Sequence, residues 1–185
     1  MPDIVLETKR LLLRTAAQGD IEAFDTHLNT PEMRKHLGGP QDLHEIERYE
    51  AESKASFAKH GYGWMAMVEK ATGEFVGQCG LKRVDAKGAS IQGGFEIGWM
   101  VREDRWRRGY AREAVAALVD WAFTRHQAPH LVALTSHANA PSWHLMEAIG
   151  MERRANLDFV DPDYPPEENP TKVYALDRET WEKQQ

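Results

Sequence analysis

Five arginines lie close together in the middle of the chain, at positions 102, 105, 107, 108 and 112. They give residues 102–112 a local net charge of +3, in a chain whose formal net charge is −6. An apolar run precedes them, and the small residues Gly109 and Ala111 lie where a helical pattern begins. A helix start leaves backbone N–H groups unpaired and carries partial positive charge, and both favour a bound phosphate. The segment therefore predicts an anion site, with a merely solvated arginine-rich surface as the alternative.

Two further side chains are candidates for proton chemistry. Glu96 interrupts an apolar strand pattern, and partial burial would raise the pKa of its carboxyl group toward the range of a general base. Ser142 shares a helical face with Leu145 and Met146, so its hydroxyl must find a hydrogen-bond partner. The alternatives are a half-exposed glutamate on a strand face and a serine bonded to a carbonyl of the preceding turn.

The elements that must position these residues follow from periodicity. Residues 95–101 and 130–135 are predicted strands, and a helix from about residue 110 to 125 separates them. This strand–helix–strand order predicts parallel pairing through a right-handed crossover. A helix over residues 139–149 follows. The remaining predicted strands are 9–14, 64–69, 74–81, 151–160 and 171–176, and the remaining helices begin near residues 20, 42 and 178.

Length and composition bound the rest. The chain has 185 residues, 42% hydrophobic and 28% charged, which predicts one domain over residues 1–185. Net acidity argues against nucleic acid, and no apolar run is long enough for a membrane span. Cys79 is the only cysteine and no leader pattern is visible, so we expect a cytoplasmic protein. The eight histidines lack cysteine or carboxylate partners at ligand spacing, so no metal is predicted.

The segment Arg107-Arg108-Gly109-Tyr110-Ala111 after a strand resembles the acetyl-CoA pyrophosphate loop of the GCN5-related N-acetyltransferases (GNAT). The pattern of that family is [Q/R]-x-x-G-x-[G/A], and Trp106 stands here at its first position. Tryptophan at that place, followed by Gly-Tyr-Ala and then Glu-Ala, resembles the branch of the ribosomal-protein N-terminal acetyltransferases (RimJ/RimL-like).

A second resemblance lies over residues 139–151, where the family often has an asparagine, a small residue three positions on and a glycine at the helix end. Asn139, Ser142 and Gly150 match that pattern. Many members place a tyrosine, the acid for the departing thiolate, seven residues after the asparagine, and this chain has Met146 there. The ribosomal-protein branch instead has the serine, which points to Ser142.

The resemblance implies an α/β domain whose mixed, mostly antiparallel sheet is splayed, with helices on both faces. It implies acetyl transfer from acetyl-CoA to a primary amine by direct attack, with Glu96 as base, directly or through water, and Ser142 supporting the thiolate. The cofactor-binding residues it implies are Met100, Val101 and Asn139 for the pantetheine arm and Arg107, Arg108, Gly109, Tyr110, Ala111 and Arg112 for the pyrophosphate.

The acceptor is less defined by the sequence. Residues 158–168 carry five acidic residues and no lysine or arginine, and in this family the loop between the last two strands borders the acceptor mouth. Such a loop would attract a small cationic amine, although acidic loops are often only solvated. A protein N-terminus is the other candidate acceptor, and a non-catalytic acyl-CoA-binding domain is the alternative function. Monomer and homodimer both remain open.

Overall fold

The computed structural model describes residues 1–184. The strands in that range are β1 (Ile4–Glu7), β2 (Leu11–Arg14), β3 (Trp64–Glu69), β4 (Phe75–Arg83), β5 (Phe95–Val101), β6 (His130–Ser136), β7 (Glu152–Arg153) and β8 (Thr171–Asp177). The helices are α1 (Asp20–Leu28), α2 (Pro31–Arg34), α3 (Leu43–His60), α4 (Tyr110–Arg125), α5 (Ala140–Ala148) and α6 (Arg178–Glu182). Internal contacts divide the chain into two compact units.

Unit one contains residues 1–35, 39–82 and 99–118. Strands β1, β2, β3 and β4 pair in that order, each antiparallel to the next. The Arg102 N–H donates to the Val76 carbonyl at 3.0 Å, which fixes the end of β5 beside β4. Helix α3 begins at a capping box in which Asp42 and Glu45 each accept from the other's backbone N–H. The hydrogen bonds of Arg102 to β4 thus set where the arginine-rich segment begins.

Unit two contains residues 36–38, 83–98 and 119–184. Glu96 of β5 lies opposite Val132 of β6 in a parallel register, which confirms the predicted parallel pairing. Strand β8 is antiparallel to both β6 and β7. Side chains of β6 and β8 form an apolar core cluster with residues from the segment after β4 and from the loop before β8: Val84, Ala89, Val132, Phe159, Val173 and Ala175.

The predicted α/β fold with a mixed, mostly antiparallel sheet is confirmed, whereas the single domain over residues 1–185 stays a prediction. The strand expected over residues 151–160 is wrong beyond its first residues. Glu152–Arg153 pairs with β8 and Phe159 makes an isolated bridge with Thr171, but the chain between them turns, because Arg153 pairs with Asp158 across a short 3-10 turn at Ala155–Leu157. Strand β1 was not predicted. No helix within residues 1–184 is long and apolar enough to cross a membrane.

Candidate active site

The arginine-rich segment of unit one forms a tight loop at the start of α4. A 3-10 turn at Glu103–Arg105 leads into it, and both Arg107 (φ 59°) and Gly109 (φ 79°) adopt positive φ. Alternation between right- and left-handed backbone conformations makes concavities in which N–H groups converge on an anion. The first helical hydrogen bond runs from the Glu113 N–H to the Gly109 carbonyl, at 3.1 Å. The N–H groups of residues 110–112 therefore have no partner within the helix.

The five arginines of this loop fall into two classes. Arg102 donates to both carboxylate oxygens of Asp104 at 3.0 Å and to the Phe75 carbonyl at 2.9 Å. Arg105 pairs with Glu74 in the turn between β3 and β4. These two arginines tie the loop to β4 and are neutralised. Within the described residues, the other three are exposed and have no acidic partner: Arg107, Arg108 and Arg112.

Glu113, in the first turns of α4, was not identified from the sequence as a functional residue. Its Oε1 accepts from the Thr8 hydroxyl and the Arg10 N–H, both at 2.7 Å, and its Oε2 accepts from Arg10 Nε at 2.6 Å. Burial opposes the charged form, but these hydrogen bonds and the Arg10 charge outweigh it, so the pKa of Glu113 is lowered. The only sequence signal was an acid near a helix start, since Arg10 lies 103 positions away.

Tyr110 and Trp106 brace the loop by their side chains. Tyr110 is buried and its hydroxyl donates to Glu69, and this hydrogen bond, followed by burial, raises the pKa of the phenol. The Trp106 indole N–H donates to the Val101 carbonyl at 2.6 Å, which takes one lone pair of that oxygen. The predicted cofactor contact of Tyr110 thus depends on its backbone N–H. The predicted contact of Val101 depends on the second lone pair of its carbonyl oxygen or on its N–H.

Unit two carries the predicted catalytic residues. Glu96 is half-buried on the strand face it shares with Gly98, and its Oε2 atom is buried. Asn139 precedes α5, and its side chain makes no capping hydrogen bond, so its amide is available to a ligand. Ser142 is half-buried in the first turn, and within residues 1–184 its hydroxyl makes no hydrogen bond to the preceding turn. Met146, at the place of the family's tyrosine acid, is 2% exposed.

Three of the five acidic residues in the loop of unit two pair with a basic side chain, and two of these partners are permanent cations. Asp158 pairs with Arg153, Asp163 with Lys87 at 2.7 Å, and Glu168 with His36 at 2.8 Å. Burial opposes the charged form of Glu168, but hydrogen bonds from Ser136 and His36 prevail and lower its pKa. These pairs lower the net charge of the loop, and its attraction for a cationic acceptor stays a prediction. In the part of the chain that the structure describes, no group of three or more His, Cys, Asp or Glu could hold a metal ion.

Comparison with known proteins identifies the family. Residues 10–152 match the model of the acetyltransferase (GNAT) domain. The uncharacterised protein YkkB of Bacillus subtilis is 31% identical over 150 residues, which cover 79% of this chain and 84% of YkkB. An acetyltransferase crystal structure from Agrobacterium tumefaciens is 31% identical, with a TM-score of 0.76 and 94% of each chain covered.

The chain therefore belongs to the GNAT acetyltransferase family, as its two motifs indicated. It is an acetyl-CoA-dependent N-acetyltransferase. The acetyltransferase of Salmonella typhimurium that modifies the N-terminal serine of ribosomal protein L7/L12 has the same fold, with a TM-score of 0.76 at 13% identity over 95% of this chain and 99% of that one. At that identity the likeness concerns the fold alone.

Proposed function

We propose that this enzyme transfers the acetyl group of acetyl-CoA directly to a primary amine in a ternary complex. Acetyl-CoA supplies an acetyl group activated as a thioester. The residues of the chain must then hold the cofactor, receive a proton from the amine and support the sulfur that leaves. A cytoplasmic location is part of this proposal.

Residues 107–112 hold the pyrophosphate in this proposal. The observation that carries it is the loop geometry: positive φ at Arg107 and Gly109 directly before N–H groups that have no partner within the helix. Three exposed arginines without acidic partners add the matching charge. Met100 and Val101 of β5 and the uncapped amide of Asn139 are the proposed contacts of the pantetheine arm.

Glu96 accepts a proton from the ammonium group of the acceptor, directly or through water, which frees the amine to attack. The new N–C bond replaces the C–S bond of the thioester, and Ser142 donates to the departing thiolate. The partly buried carboxyl group of Glu96 supports the first role, because partial desolvation raises the basicity of a carboxylate. The hydroxyl of Ser142 supports the second, since it is not committed to the preceding turn. Met146 cannot replace it as an acid.

The acceptor is either a protein N-terminal amine or a small cationic amine. The ion pairs of Asp158 with Arg153 and of Asp163 with Lys87 remove part of the charge that would favour a small polycation. The ribosomal-protein acetyltransferase among the fold relatives makes the N-terminus a natural first acceptor to try.

The test is thiol release from acetyl-CoA across small amines and short N-terminal peptides, with Glu96→Gln and Ser142→Ala beside the wild type. We expect turnover with one acceptor class and about a hundredfold loss of kcat in each variant. Exposed Glu152→Gln and Ser90→Ala are matched controls and should keep full activity. Undiminished kcat in Glu96→Gln and Ser142→Ala would contradict the assigned roles. Cofactor binding without turnover of any acceptor would favour the acyl-CoA-binding alternative.

A further inference from the structure

Glu113 carries a full negative charge in the first turns of α4, next to the loop proposed to bind an anion. Its carboxylate receives three donors from residues 8–10, the turn between β1 and β2. The Glu113 side chain is only 18% exposed, so these hydrogen bonds are shielded from solvent. An acid at this place would repel a phosphate unless a cation neutralised it, and Arg10 is that cation.

Arg10 also reaches the loop itself. Its Nη1 donates to the Arg108 carbonyl at 2.8 Å, and its guanidinium lies 4.4 Å from the centre of the Tyr110 ring. Its Nη2 lies 3.4 Å from where a side chain on Gly109 would begin. Arg10 thus contacts Arg108 and Tyr110 and lies close to Gly109 between them, where the backbone leaves the left-handed region for the helix.

Two features of residues 107–112 destabilise the conformation of this loop: backbone strain and repulsion between like charges. Arg107 holds a positive φ without being glycine, which strains its backbone. The cations of Arg107, Arg108 and Arg112 repel one another when no anion is bound. A fixed loop presents its N–H groups without a further ordering cost at the moment of binding.

We propose that Arg10 and Glu113 are positioning residues that hold residues 107–112 in their anion-binding conformation, an assembly we call the Arg10–Glu113 clamp. The inference rests on the proposed pyrophosphate role of that loop. The clamp touches neither acetyl group nor amine in this proposal. It acts on the affinity for the part of the cofactor that carries phosphate.

The clamp makes a specific prediction about how its two members combine. Arg10→Met removes the contacts to the loop and leaves the Glu113 carboxylate uncompensated beside the anion. Glu113→Gln keeps the shape of the side chain and removes the charge. The double variant therefore binds acetyl-CoA better than Arg10→Met alone, because the second substitution removes the repulsion that the first one created.

The experiment compares acetyl-CoA with acetyl-pantetheine, which has the same thioester but no pyrophosphate, as donors for the three variants and the wild type. Arg10→Met should raise KM for acetyl-CoA about tenfold with little change in kcat. Glu113→Gln should raise KM for acetyl-CoA less, and the double variant should fall between Glu113→Gln and Arg10→Met, because it regains the lost charge balance but not the Arg10 contacts to the loop. The kinetics with acetyl-pantetheine should not change in any of them.

Arg14→Met is the matched control, because Arg14 makes an ion pair with Asp20 in the same unit that involves no residue of the loop. It should lower the urea midpoint and leave both KM values unchanged. An equal effect of Arg10→Met on the two donors, or no rescue in the double variant, would overturn the clamp. Equal KM values of the wild type for both donors would instead refute the pyrophosphate role of the loop. If Arg10→Met does not fold, the nearly isosteric Glu113→Gln tests the clamp by itself: its KM should rise for acetyl-CoA and stay unchanged for acetyl-pantetheine.

Discussion

Replacement of Gly77 by alanine should disturb the backbone of β5 at the proposed pantetheine contact. Gly77 lies in β4 with a φ of 155°, at an irregularity in the pairing of β3 with β4. A Cβ atom added there would lie 2.1 Å from the Met100 carbonyl oxygen and 2.7 Å from Cε of Met67. The Met67 side chain can move away, but the Met100 carbonyl belongs to the main chain of β5.

The expected cost follows from these distances. A carbon and a carbonyl oxygen need more than 3.0 Å, so β5 must move by about 1 Å or β4 must bend away. Overpacking of this kind costs about 1–3 kcal/mol, and a side chain at that φ adds a similar amount. We therefore expect Gly77→Ala to lower the free energy of unfolding by about 3 kcal/mol or more. In the fraction that folds, KM for acetyl-CoA should rise.

Gly73→Ala, in the turn before β4, separates the steric clash from the strain of a side chain at positive φ. Gly73 also has a positive φ, of 73°, but nothing lies within 4 Å of the added Cβ, so only about 1 kcal/mol of backbone strain is expected. Urea unfolding gives the stabilities, and thiol release gives KM. If Gly77→Ala cost no more than Gly73→Ala and left KM unchanged, the close approach of β4 to Met100 would be refuted.

Three further predictions use charge and burial. Burial raises the pKa of the Cys79 thiol to about 12, so at pH 8 only about one thiol in ten thousand is ionised, and alkylation should be seen only after unfolding in urea. The pKa values of Glu113 and Asp158 are lowered in the folded chain, so both stabilise it above their unfolded pKa values, and the urea midpoint should fall as the pH drops from 5 toward 3. Lys87→Ala removes an exposed ion pair with Asp163 and should leave the urea midpoint at pH 7 unchanged.

Local patterns were enough to predict most of the elements. Helix α3 was expected from residue 42, because a capping residue and helical periodicity mark its start within a few positions. The segment after α5 was predicted as a long strand. The segment forms a strand only at Glu152–Arg153 and an isolated bridge at Phe159. The ion pair between Arg153 and Asp158 closes a turn between them, and the alternation of residue types does not indicate that turn.

What the sequence could not provide was the pairing of distant charges. The arginine-rich loop and its glycine were recognisable as a motif, but the partner of Glu113 is Arg10, 103 positions away. The acidic loop carried a net charge that could be counted. The hydrogen bond between Glu168 and His36, which lie 132 positions apart, could not be found in that way. Such pairings depend on burial and on the register between strands, and neither can be predicted from neighbouring residues in the sequence.

The most direct test of the central claim is to follow the backbone amide resonances of the ¹⁵N-labelled enzyme during titration with CoA and, separately, with pantetheine. If residues 107–112 hold the pyrophosphate, their amide resonances shift strongly with CoA and stay in place with pantetheine. The account is contradicted if CoA binds while those six resonances remain where they were.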